Sequence, residues 1–188
     1  ELTTELRKIT VPAKTTALQT ELNKSSRDYD VILMLIAEGA DVNAKSNTGN
    51  TALMLAANDG QTTTVNALLA VSGINVNIQN SSNSTALILA TNGGHTTIVN
   101  ALLAVPNINV NLKVQDGNTA LHSAAAFGYT AIVEALLAVP GIRVNVISDA
   151  DLTALDRINF RDASADKTAI INALRNAGAK TKAELDSE

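Results

Sequence analysis

The residues with chemistry to offer are two histidines, a run of carboxylates late in the chain, one glycine pair and two phenylalanines. Imidazole is the usual proton shuttle and zinc ligand near neutral pH. His95 and His122 stand 27 residues apart, with no third histidine and no cysteine anywhere. A zinc site or a thiol nucleophile therefore has nothing to be assembled from. Asp149, Asp151, Asp156, Asp162 and Asp166 crowd together, and paired carboxylates serve acid–base work or Ca²⁺ binding. Their spacing fits no EF-hand loop, and Arg157 and Arg161 lie among them. That reads as a solvated, salt-bridged end. Gly93-Gly94 lacks the Lys-Ser/Thr tail of a phosphate loop and follows a helical stretch rather than a strand. The Asn-x-Ser/Thr triplets at Asn23, Asn80 and Asn83 read as incidental in a chain so rich in Asn and Thr. No catalytic, metal-binding or cofactor-binding residue is expected, and the chain is read as a non-enzyme.

What would position these residues is an apolar scaffold of unusual make-up. Apolar residues are 46% of the 188, aromatics only 2%. Such a core is built from Leu, Val, Ile and Ala, which suits thin helices stacked closely. The formal charge is −4, with both signs interspersed. No basic stripe marks a nucleic-acid surface, and no apolar run has the length of a membrane span. Glu1 to Lys14 has no apolar signal-peptide stretch, and the chain starts at Glu1 rather than Met, as a trimmed or processed chain does. Absent cysteines fit a cytoplasmic address.

Self-comparison decides the organisation. Thr-Ala-Leu recurs at Thr51, Thr85, Thr119 and Thr153, 34 residues apart each time. Val42-Asn43, Val76-Asn77, Val110-Asn111 and Val144-Asn145 keep the same step. Each unit predicts helix, turn, helix, loop. The threonines are N-cap residues whose hydroxyls satisfy a free N–H of the first turn. Gly60, Gly94 and Gly128 end the first helix of their units. In the second helix Ile98, Val99, Leu102 and Leu103 share one face. Thr48-Gly49 and Asp116-Gly117 mark turns before the next cap. Asn83 and Asp151 take the glycine position in the other copies, because they tolerate positive φ better than other side chains.

The best-kept unit, Asp116-Gly117-Asn118-Thr119-Ala120-Leu121-His122-Ser123-Ala124-Ala125-Ala126-Phe127-Gly128-Tyr129, resembles the ankyrin repeat. Two features depart from the family pattern: Ala follows the capping Thr where Pro is usual, and one residue is added after each Leu-Leu pair; the unit before Asp41 lacks that addition and keeps the family's usual form. The resemblance implies an all-α solenoid of about five helix-turn-helix units with divergent terminal caps. Unit boundaries are expected near 16–45, 46–79, 80–113, 114–147 and 148–180, opening at Thr16-Ala17-Leu18. A capping helix is expected at 1–15, with Leu2, Leu6 and Ile9 on one face, and a tail at 181–188. The resemblance also makes His95 and His122 structural, binding the turns of adjacent units.

It further implies a protein–protein interaction module, with no cofactor, no nucleic acid and no membrane, expected to be monomeric. The partner is expected along the turn tips and the exposed side of the first helices: Lys45, Asn47, Thr48, Asn50, Asn58 and Asp59; Gln79, Ser81, Ser82, Ser84 and Asn92; Lys113, Gln115, Asp116, Asn118 and Phe127. Phe127 is the one aromatic of this row in a regular unit, either packed under its neighbour or a binding anchor; Phe160 falls one place earlier in the last unit. Asn43 is a candidate hydroxylation site, since Leu35 with Asp41-Val42-Asn43-Ala44 resembles the substrates of asparaginyl hydroxylases; the plainer reading is a loop Asn bonding its own turn. Two alternatives stand beside the interaction module: the targeting part of a larger effector enzyme, and an architectural spacer. The Ala-Val-Pro-Gly-Ile type loops resemble arrays from intracellular bacteria that send such proteins into host cells.

Overall fold

The computed structural model describes residues 10–159 and 165–187. Leu2, Leu6, Ile9, Phe160, Arg161 and Asp162 lie outside the described residues. Those described form eleven helices and no strand. They are α1 (Val11–Leu22), α2 (Tyr29–Ala37), α3 (Ala52–Asn58), α4 (Thr62–Leu69), α5 (Ala86–Asn92), α6 (Thr96–Leu103), α7 (Ala120–Phe127), α8 (Thr130–Leu137), α9 (Ala154–Asn159), α10 (Ala165–Asn176) and α11 (Lys182–Asp186). The first helices α3, α5, α7 and α9 pack in one row; the second helices α2, α4, α6, α8 and α10 pack in a parallel row behind them.

Side-chain size explains the close rows. Leu53, Leu87, Leu121 and Leu155 are each 1% exposed, and between them lie Ala52, Ala86, Ala120 and Ala154, also buried. Thr91 stands where the neighbouring units have Ala57 and Ala125, and is wholly buried. Its hydroxyl donates to the Leu87 carbonyl at 2.8 Å, so the polar atom is satisfied inside its own helix. From the second row Leu68, Leu102 and Leu136 close the core without exposed surface. Each contributes on the order of 2 kcal/mol by burial.

The helix starts match the recurring threonines. Thr51 and Thr85 hydroxyls accept from the amides of Met54 and Ile88, each at 3.3 Å. At Thr153 the cap is reciprocal: Asp156 N–H donates to the Thr153 hydroxyl at 3.2 Å, while its carboxylate accepts from the Thr153 amide at 2.9 Å. Asn83 and Asp151 adopt φ of 58° and 60°, as their place in the glycine register requires.

The Val-Asn marker holds one unit to the next. Asn43 Nδ2 donates to the Gly73 carbonyl at 2.8 Å, and its Oδ1 accepts from the Asn75 amide at 2.9 Å. Asn77 grips Asn107 and Asn109 in the same way, and Asn111 grips Gly141 and Arg143. Asn145 closes the series on Gly178 and Lys180. At the start of the stack, α1 supplies substitutes: Thr15 Oγ1 accepts from the Asp41 amide at 3.0 Å, and Lys14 Nζ donates to the Glu38 carbonyl at 2.8 Å.

Two boundaries differ from expectation. Thr16 does not open the first helix, and no division between 15 and 16 exists, because α1 runs unbroken from Val11. Pro12 lies in its first turn, where a preset φ favours a helix start, and the Thr16 hydroxyl bonds back to the Pro12 carbonyl at 3.1 Å. The stretch read as a tail holds α11 instead, capped by Thr181 and Glu184. Arg175 ties it to α10 through both Glu184 oxygens, at 2.7 and 2.9 Å.

Candidate protein-binding surface

Turn tips and first helices form one face, and its polar row is stitched unit to unit. Ser81 N–H donates to the Thr48 carbonyl at 3.1 Å, Gln115 N–H to Ser82 at 3.2 Å and Asp149 N–H to Asp116 at 2.9 Å. The side chains repeat the trick. Lys45 Nζ reaches the Gln79 carbonyl at 3.1 Å, Gln79 Nε2 the Lys113 carbonyl at 2.9 Å, and Lys113 Nζ the Ile147 carbonyl at 3.0 Å. Each spans 34 residues. Lys and Gln are interchangeable here because the register needs only a long donor. Gln115 Nε2 likewise reaches the Ser81 carbonyl at 2.7 Å.

The rest of the row sorts by what it touches. Asn47 donates its backbone N–H to Asn23 Oδ1 at 2.8 Å. Asn50 donates to the Thr48 hydroxyl at 3.0 Å and accepts from Asn80 Nδ2 at 2.7 Å. Ser84 is buried, its amide held by Asn80 Oδ1 at 2.9 Å. Asp59 takes the Tyr29 hydroxyl at 2.7 Å, Arg27 Nη2 at 2.9 Å and Asn58 Nδ2 at 3.0 Å. Burial pushes the Asp59 carboxyl up, but these donors and the Arg27 charge outweigh it and hold it below its ordinary value. Burial, and then Asp59, pushes the Tyr29 phenol up to about 12. Asn92, Asp116, Asn118 and Phe127 come together around a groove of about 300 Å³. Its walls also include Ile88, Val114, Ser123 and Arg157, which the sequence reading missed. Val114 had a signal: the same register holds Ser46, Asn80 and Ser148. So did Arg157, which replaces Leu55, Leu89 and Ser123.

Phe127 is 50% exposed and stacks on Tyr129 with ring centres 5.7 Å apart. Both histidines are structural. His95 Nε2 donates to the Asn58 carbonyl of the preceding unit at 3.2 Å. His122 Nε2 donates to the Leu152 carbonyl of the next at 3.2 Å, while its Nδ1 accepts from the Thr119 amide and hydroxyl at 3.2 and 2.9 Å. Asn43, the hydroxylation candidate, has both amide atoms engaged in its grip on the next loop. Among the described residues no group of three or more His, Cys, Asp or Glu could hold a metal, and no helix is long and apolar enough to cross a membrane.

A family model for ankyrin repeats (3 copies) matches residues 21–114 and 58–148, more than half of the chain. The chain belongs to the ankyrin-repeat family. No curated protein matches it. Ankyrin repeats are generally protein–protein interaction modules, and among the described residues Phe127 is the aromatic side chain most open to solvent.

Inside the ankyrin array His122 is a pH liability. Burial, chiefly, pushes its pKa below the ordinary 6.5, with the charge of Arg157 adding to the effect. The unfolded chain therefore takes up a proton that the folded chain refuses. The stability is fully present above pH 6.5 and is lost as pH falls from 6.5 toward the lowered native value. We expect urea unfolding free energies to drop across that window by up to about 1.4 kcal/mol per pH unit. His122→Gln should flatten that part of the profile; an unchanged slope would refute the assignment.

Proposed function

We propose that the array binds a protein partner along the face made by its turn tips and first helices, with Phe127 as the central anchor. The observation that carries this reading is the half-exposed phenyl ring on the wall of a groove shared by α5, α7 and α9. Binding energy concentrates in a few aromatic or Arg anchors at the centre of an interface. Asn92, Asp116 and Asn118 supply polar groups around it. The lysines at 45 and 113 belong to the reading differently. They are exposed but already bonded to the next unit, so they frame the surface more than they search for a partner. Asn47, Thr48, Asn50, Asn58, Asp59, Ser81, Ser82 and Gln115 extend the surface toward the first unit as a rim.

Capture from lysates followed by mass spectrometry supplies candidate partners, and titration calorimetry then tests the site. Phe127→Ala should weaken binding at least about tenfold, a hot-spot truncation being worth roughly 2 kcal/mol or more. Asn50→Ala, at the rim, should cost far less. The melting temperature should hardly move, since half of the ring is in water. Unchanged affinity in a folded Phe127→Ala variant would place the interface on the second-helix face or the ends.

A further inference from the structure

Resting on that reading, we infer that the groove beside Phe127 takes a peptide segment in which an apolar side chain neighbours a carboxylate, the apolar group lying against Phe127 and the carboxylate meeting Arg157. The two halves of this specificity come from different walls. Ile88, Val114, Ala126 and Phe127 give the groove an apolar side. Arg157, from α9 in the last unit, is the one cation lining it among the described residues. Its Nη2 donates at 3.0 Å to Asn118 Oδ1, a neutral amide. Among the described residues it has no ion-pair partner, although five aspartates lie within the same stretch of sequence. Its Nε is shielded from solvent and unbonded. A half-buried guanidinium held by a single neutral acceptor has spare donors in a planar fork, the geometry that carboxylates fit. In a partly desolvated groove that charge is felt more strongly than an exposed one.

Asp116 lines the same groove, exposed at the turn tip, its carboxylate accepting from the Asn118 amide at 3.2 Å. A partner's carboxylate is repelled by that tip and drawn to the guanidinium.

The test uses the whole chain and an array of short immobilised peptides. Each carries a central Leu, Phe or Ala, flanked at each position in turn by Glu, Gln or Lys. The wild-type chain should retain Glu-bearing members over their Gln twins by roughly tenfold or more, the worth of one charge-assisted hydrogen bond, with Lys weakest. Arg157→Gln, which keeps a donor for Asn118, should bind the Glu and Gln twins equally while still preferring Leu or Phe to Ala at the centre. Phe127→Ala should lose the apolar preference. Equal retention of Glu, Gln and Lys members by the folded wild-type chain would overturn this inference and leave the Phe127 interface standing. Retention indifferent to Phe127→Ala would instead remove the interface itself. A wild-type chain that retains none of the peptides would overturn the groove as a peptide site.

Discussion

Leu102→Ala should lower the unfolding free energy by about 2–5 kcal/mol, the range for deleting a buried leucine and leaving its cavity. Leu102 has no exposed surface and lies in α6, between second helices α4 and α8 and behind first helix α5. Units on both sides hold the cavity open, so the site cannot collapse cheaply. Leu174→Ala is the instructive control. Leu174 is just as buried, but its helix α10 packs on α8 and α9, and the described residues past it hold only the short α11. In a stack bound by nearest neighbours, an end unit can open alone. Its truncation should therefore appear as an early, partial transition in urea, with a smaller loss in the main one. Equal shifts of a single transition at both sites would contradict the nearest-neighbour picture.

Gly117→Ala should cost more than about 2 kcal/mol, and its source differs from cavity formation. Gly117 has φ +76°, where a side chain alone costs roughly 1–2 kcal/mol. A Cβ there would also come within 2.8 Å of the Asp149 amide nitrogen and 2.5 Å of its Oδ1. The Asp149 amide is the donor that bonds Asp116 across the unit boundary, so the backbone has to retreat and loosen that link. Asn83 occupies the same register with φ 58°. Replacing it with Gly should be neutral or slightly stabilising, as it removes a left-handed side chain without adding a clash. Thermal melts of the pair check this; a Gly117→Ala variant as stable as the parent would show that the tips are not under steric control.

Much of this architecture is legible in the residues because its markers recur where backbone geometry leaves little choice. Thr51, Thr85, Thr119 and Thr153 cap the helices that follow them, and Asn83 turns left-handed in a glycine register. The first unit misleads: Thr16-Ala17-Leu18 mimics the marker, while α1 already starts at Val11 with Pro12 in its first turn, and Lys14 and Thr15 hold the loop after α2. The binding face is less legible. Lys45, Gln79 and Lys113 look like a free polar row, yet their reach of one unit ties them to backbone carbonyls. No pattern in one dimension separates a lysine spent on its neighbour from one left for a partner. Arg157 was hidden among aspartates that suggested ion pairing; in three dimensions it meets Asn118 from another unit.

The asparagine grips carry an implication for how such a chain changes length. The grips of Asn43, Asn77 and Asn111, the ladder bonds and the tip bonds are each addressed to a fixed distance downstream, and the addresses repeat with the 34-residue step. Were residues 80–113 excised in one block, Asn77 would find Gly141 where it now finds Asn107, and Gln79 would find Ile147 in place of Lys113. Thr48 would meet Gln115 in place of Ser81. A deletion shorter by one residue misdirects all of these at once. A whole-block change keeps these bonds in register, so the array can be lengthened or shortened only in steps of one unit without losing its cross-unit hydrogen bonds.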